Sequence, residues 1–212
     1  HRIRCDGVWP PAVEGAIFHP RAADPTLRSR LTRGRPERFL FVYAGRFSKE
    51  KDLATMLRYL EPFPEVAVAL IGSGPDASFR EHRLGDRVFV SEGFWSQDDV
   101  ARVHASADAF LTASCTETCG FAVLEAMACG LPIVAPAAQG LIDLISDGKN
   151  GLLFAPGDVA SARRQIARLI SDRALQATLR ENSRAHAAQL TWESATRWLS
   201  ALYEEVLRER AA

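Results

Sequence analysis

Glu117 and Glu125 lie eight residues apart in CTETCGFAVLEAMACG, residues 115–130, a stretch whose other side chains are small, apolar or hydroxylic. From Phe121 to Cys129 every position except Glu125 is apolar. A helix that is apolar all round is a buried one, and an ionised carboxylate is costly to bury unless something hydrogen-bonds it. Glu125 therefore needs a partner inside the fold or a polar ligand in a cleft. A sugar hydroxyl donating to it would meet that need. Glu117 has a plainer alternative, because Ser114-x-x-Glu117 matches a capping box. Gly120 lets the chain turn tightly, and the amides of Cys119, Gly120 and Phe121 would then open the apolar helix, an arrangement that binds anions.

Two cations stand at another turn, Gly45-Arg46 through Lys51. Arginine grips phosphate oxygens in pairs and lysine adds a compact charge. Lys49, Glu50 and Lys51 also read as a solvated first helical turn, but a first turn prefers acids, so cations there suggest an anion between them. Gly72-Ser-Gly74-Pro-Asp-Ala77 matches G-x-G-x-x-A, with Glu92 twenty residues beyond Gly72, the dinucleotide fingerprint with its ribose-binding acid. Against it stand Pro75, the short helix that follows, and its place in the second strand–helix unit. The alternative is a tight turn that needs glycine for backbone room. Cys115, Cys119 and Cys129 lack the pairwise spacing and fourth ligand of a zinc site; with Cys5 they read as small buried thiols in a reducing cytoplasm. His19 belongs to a connection, while His1, His82, His104 and His186 fall on the entry segment or on helices, in solvated roles.

These residues are positioned by alternating short elements. Phe39–Gly45, Val66–Gly72, Val88–Ser91, Ala109–Ala113, Pro132–Ala135 and Gly151–Phe154 are strand candidates, several continuously apolar, as strands covered on both faces should be. Helical patterns fall near 51–60, 76–84, 97–106, 121–129 and 140–147. The alternation predicts an α/β domain, Rossmann-like, with a parallel sheet of about six strands. Residues 1–38, proline- and arginine-rich without sustained periodicity, read as an entry segment, 39–158 as the domain, and 159–212 as helices packing on it, with Trp192, Trp198, Leu199, Leu202 and Tyr203 on an apolar stripe. Ligands bind such a sheet outside the carboxyl ends of its strands, where the cations, glycines and Glu117 collect. Of 212 residues, 47% are apolar, and 26 basic residues balance 26 acidic ones. Nothing in that balance argues for nucleic acid or an anionic membrane as a partner, and a phosphate ligand would have to be held by a few placed cations. No apolar run approaches the ~20 residues of a spanning helix, the opening HRIRCDG does not read as a signal peptide, and the missing initiator methionine suggests an excised piece.

Glu117-x7-Glu125 within TETCGFAVLEAMACGLPIVAP resembles the E-x7-E signature of the retaining glycosyltransferases of family 4, which have the GT-B fold. FVYAGRFSKEKDLATML, VALIGSGP, DLISDGKNGLLFAPGD and GVWPPAVEGAIFHP are similar to further segments of that family, in the same order, from about residue 7 to 160. TETCGF departs from the usual TETFGN-like wording. The resemblance implies the donor-binding C-terminal domain of a bacterial-type enzyme that takes a nucleotide-diphosphate sugar and transfers the sugar with retention, without metal or cofactor. Arg46 and Lys51 would bind the diphosphate beside the Gly45 and Gly74 turns and support its departure. Thr118 and the amides around Cys119, Gly120 and Phe121 would contact donor sugar and phosphate. Glu117 would hydrogen-bond a sugar hydroxyl, Glu125 the ribose hydroxyls, and the stretch around Gly93 and Phe94 would border the base. The two glutamates are then not a hydrolase's acid and base. An acceptor-binding domain would precede His1, serving a lipid or glycan acceptor in the cytoplasm or at the inner face of the membrane, and the chain alone would turn over little. Two alternatives stay open: a dinucleotide-dependent oxidoreductase resting on the Gly72 turn, and an epimerase-like or non-catalytic domain that binds nucleotide sugar without transfer.

Overall fold

Val66-Ala-Val-Ala-Leu-Ile71 buries every one of its side chains, as a strand covered on both faces must. It is β2 of a computed structural model that describes residues 7–81, 84–91, 93 and 95–211. With β1 (Phe39–Ala44), β3 (Val88–Val90), β4 (Ala109–Leu111), β5 (Ile133–Pro136) and β6 (Gly151–Phe154) it forms one parallel sheet, in the order β3-β2-β1-β4-β5-β6. The expected α/β domain with six parallel strands is the observed one. The strand order reverses between β1 and β4, which opens a crevice at their carboxyl ends.

The helices are α1 (Pro25–Leu31), α2 (Leu53–Leu60), α3 (Gln97–Ser106), α4 (Phe121–Ala128), the single turn α5 (Leu141–Leu144), α6 (Val159–Ser171), α7 (Arg173–Ala187) and α8 (Trp192–Ala211). Asp24, Asp52, Ser96, Asp158 and Asp172 each cap a helix by accepting a first-turn amide. Among the described residues only the α-helices α4 and α5 open at glycines, with no side chain on their first amides. Among the described residues of the helical pattern near 76–84, the chain forms the 3-10 turn Ser78–Glu81, and Asp76 before it is drawn off to donate its amide to the Phe47 carbonyl at 3.1 Å.

The entry segment holds α1, too short to show a period in sequence and set instead by the Asp24 cap and Pro25 at the first helical position. Arg28 fastens it to the sheet through Asp108 Oδ2 at 2.7 Å and the Ser106 carbonyl at 2.9 Å. His104 departs from the solvated role expected of it. It is 0% exposed between Phe18 and Phe110, and burial pushes its imidazole down to about 3, so it is neutral. A helical position alone does not reveal which face carries the residue. The apolar stripe of α8 is only partly covered: Trp192 packs edge-on against Trp9 at 6.4 Å, whereas Tyr203 is 61% exposed. Among the described residues no helix is long and apolar enough to cross a membrane.

Candidate functional site

Three loops meet at the carboxyl edge of β1, β2 and β4. After β1 the chain passes Gly45 and the exposed Arg46, whose carbonyl accepts the Tyr43 hydroxyl at 3.0 Å. The loop after β2 crosses it closely. Phe47 donates its amide to the Ser73 carbonyl at 2.8 Å. A Cβ on Gly72 would lie 1.9 Å from the Gly45 carbonyl oxygen, and one on Gly74 would lie 2.0 Å from that of Phe47. The glycines of the G-x-G-x-x-A match thus serve the protein's own backbone. Among the described residues no α-helix follows the turn to receive a pyrophosphate, only the 3-10 turn Ser78–Glu81, and the motif sits on β2, away from the strand that opens the fold. The dinucleotide reading loses its basis; its Glu92 lies outside the described residues.

After β4 the chain turns through Gly120, in the left-handed region at φ 60°, directly into α4. The capping box does not form. Ser114 is fully buried before the turn, and Glu117 sends its carboxylate to the Lys51 ammonium as an ion pair, both side chains about four-fifths covered. Gly140 fixes the Glu117 backbone by donating its amide to that carbonyl at 3.0 Å. With Gly120 as its cap residue, α4 presents the amides of Phe121, Ala122 and Val123, which have no partner within the helix.

A cavity of about 660 Å³ lies between these loops, lined by Arg46, Gly74, Gly93, Trp95, Gln97 and Glu125 among others. Glu125 is half-buried, and its carboxylate accepts no hydrogen bond from the described residues. Burial pushes it up from 4.5 to about 7. A hollow of about 190 Å³ shares Ala44, Gly45, Arg46 and Ala122 with the cavity and holds Lys51, Glu117, Thr118, Cys119, Gly120 and Phe121. Arg46 therefore faces both spaces. A cation, an uncapped helix start and a half-buried carboxyl with no partner among the described residues converge where a polar anionic ligand would fit.

Residues 30–186 match the family model for glycosyl transferases group 1. The chain belongs to that family. It is 34% identical over 192 residues to the sulfoquinovosyl transferase SQD2 of Arabidopsis thaliana, covering 89% of this chain and 38% of that protein. Among solved structures, sucrose-phosphate synthase from Thermosynechococcus elongatus superposes with a TM-score of 0.81 at 26% identity, over 95% of this chain and 52% of that one. Anabaena Alr3699/HepE, solved in complex with UDP, gives 0.77 at 26% identity, over 89% of this chain and 56% of its own. The chain spans about half or less of the length of the curated relatives it matches, and its fold corresponds to one half of a GT-B glycosyltransferase.

Within this group 1 glycosyl transferase chain, the predicted residues divide between the two spaces. Gly45 and Arg46 border both, Gly74 and Glu125 the larger, and Lys51, Glu117, Thr118, Cys119, Gly120 and Phe121 the smaller. Phe94 lies outside the described residues, though Gly93 and Trp95 on either side of it line the cavity. Sequence reasoning missed Gln97, the first residue of α3, and Phe18, in the entry segment; neither carries a motif. It also took Phe121 as buried, whereas this first residue of α4 is 49% exposed. Of the thiols read as buried, Cys129 alone is so among the described residues; Cys115 is half-buried, Cys119 is exposed beside the hollow, and Cys5 lies outside the described residues. Among the described residues no three histidines, cysteines or carboxylates gather as a metal centre would require.

Proposed function

We propose that this chain is the donor-binding half of a retaining glycosyltransferase of family 4, with a nucleotide-diphosphate sugar lying across the carboxyl ends of β1, β2 and β4. The observation that carries this reading is the half-buried Glu125 carboxyl, facing a cavity it shares with Arg46 beside the uncapped start of α4. Ribose hydroxyls would satisfy Glu125. Arg46 and Lys51 would hold the diphosphate and, with the α4 amides, stabilise its charge as the sugar departs. Such preorganised donors are the largest contribution to catalysis of this kind, and they would serve without a metal. Thr118, Cys119, Gly120 and Phe121 would border the sugar, Glu117 would take one of its hydroxyls, and Gly93 with Trp95 would flank the base. Anabaena Alr3699/HepE, which shares this fold, was solved in complex with UDP, and that supports a nucleotide as ligand. A preceding domain would bring the acceptor, a lipid or a glycan, in the cytoplasm or at the inner face of the membrane. The chain alone would bind donor and turn over little.

Titration calorimetry with UDP, GDP and ADP tests the reading. The chain should bind at least one of them saturably. Arg46→Ala should weaken that binding at least about ten-fold, since a guanidinium–phosphate pair is charge-assisted and bidentate. Equal affinity in the folded variant would remove Arg46 from the site and the reading with it.

A further inference from the structure

Lys51 and Glu117 come from loops 66 residues apart in sequence, on either side of the point where the strand order reverses. Their ion pair is about four-fifths covered on each side, so water does little to screen it. The charges around it are few. Glu50 is turned onto the Ser48 hydroxyl at 2.6 Å, Arg46 borders the same hollow, and the Tyr43 phenol, raised by burial and by the Glu117 and Glu50 charges, is neutral. Among the described residues Glu117 is therefore the one anion ion-paired with Lys51, with Glu50 acting on it only at longer range, and an anion that takes the ammonium must compete with Glu117. We propose that Glu117 is an internal counter-ion for Lys51 that a diphosphate must displace, and that this exchange releases the Glu117 carboxylate beside the start of α4.

The inference rests on the proposed donor site and assigns its binding step an order of events. A phosphate oxygen replaces a carboxylate oxygen on the Lys51 ammonium, so the cation is never left alone in a low-dielectric pocket. That matters because an uncompensated buried charge is the costly outcome of breaking such a pair. The freed carboxylate then stands beside Thr118 and Gly120, where it can accept a hydroxyl of the group the diphosphate carries. Glu117 would thus weaken the affinity for a bare nucleoside diphosphate while serving the intact donor.

The test is the affinity of the chain and of Glu117→Gln for UDP, GDP and ADP, with thermal unfolding as the check on folding. Removing the competing charge should tighten nucleoside diphosphate binding about ten-fold. The same gain is expected of Glu117→Ala, and it should vanish when Lys51→Ala is added. Binding by the wild-type chain with no gain in either folded Glu117 variant overturns the counter-ion role and leaves the donor site standing. A gain that survives Lys51→Ala also overturns it. If neither the wild-type chain nor the variants bind any of the three nucleotides, both readings fall.

Discussion

Glu125 is held between two demands. Its place in an otherwise apolar helix withdraws it from water, and the cavity it faces gives it no hydrogen-bonding partner among the described residues. Burial raises its carboxyl from 4.5 to about 7, so between those values the folded chain holds a proton that the unfolded chain has lost. Stability is then fully present below pH 4.5 and falls as pH rises through 7. Glu125→Gln should remove this dependence. At pH 8 the variant should be more stable by on the order of 1–3 kcal/mol, less than the full linkage figure because an amide also pays for desolvation. At pH 5 the difference should nearly close. Urea unfolding at the two pH values decides the matter, and an equal difference at both would show that the carboxyl is better solvated than its position implies. The same substitution should weaken nucleotide binding, so stability and binding would move in opposite directions, as expected where a residue is kept for a ligand.

At the scale of elements, the glycine turns separate what could be read from sequence from what could not. The strands were legible because each is a short apolar run with its own boundaries, and a parallel sheet buried on both faces leaves no other way to write them. The turn after β2 was visible as a turn, but glycine marks only that something approaches closely. Whether it is a ligand's phosphate or another loop's carbonyl depends on the partner strand, and here it is the Phe47 carbonyl. The Lys51–Glu117 pair was hidden for the same reason, since only the adjacency of β1 and β4 brings those loops together. The helix α1 was illegible because seven residues hold too few turns to show a period. Gly74→Ala tests the reading of the turn. The new methyl would meet backbone, at a φ of +157° that side chains rarely adopt, so the β1 loop carrying Arg46 must shift. A loss of about 2–4 kcal/mol is expected, with weaker nucleotide binding. Gly148→Ala, also at positive φ but with nothing within 4 Å, should cost only about 1 kcal/mol. Differential scanning calorimetry that found the two variants alike would refute the close-crossing account.

Across the whole molecule, the fold is fastened at the edge of the sheet opposite the site. Asp108 lies at the amino end of β4 and accepts the Leu40 amide of β1 at 2.8 Å and the Arg28 guanidinium of α1 at 2.7 Å. Arg180 of α7 reaches its carbonyl at 2.9 Å and its carboxylate at 3.5 Å. One carboxylate thus joins the entry segment, two central strands and a C-terminal helix, while the carboxyl edge is left to loops that can adjust to a ligand. Asp108→Ala should take the counter-ion from two partly covered guanidinium groups, which keep only carbonyl acceptors, and leave the Leu40 amide unpaired, at a cost of about 2–4 kcal/mol in urea unfolding. Asp108→Asn keeps an acceptor for Leu40 and should cost less. Since β1 puts roughly 20 Å between this junction and the site, either variant, measured where it is folded, should bind UDP, GDP or ADP within about three-fold of the parent chain, far from the loss expected of Arg46→Ala. A binding defect in Asp108→Asn as large as that of Arg46→Ala would mean that the two edges are coupled through the sheet, and the division between a fastened edge and a binding edge would have to be abandoned.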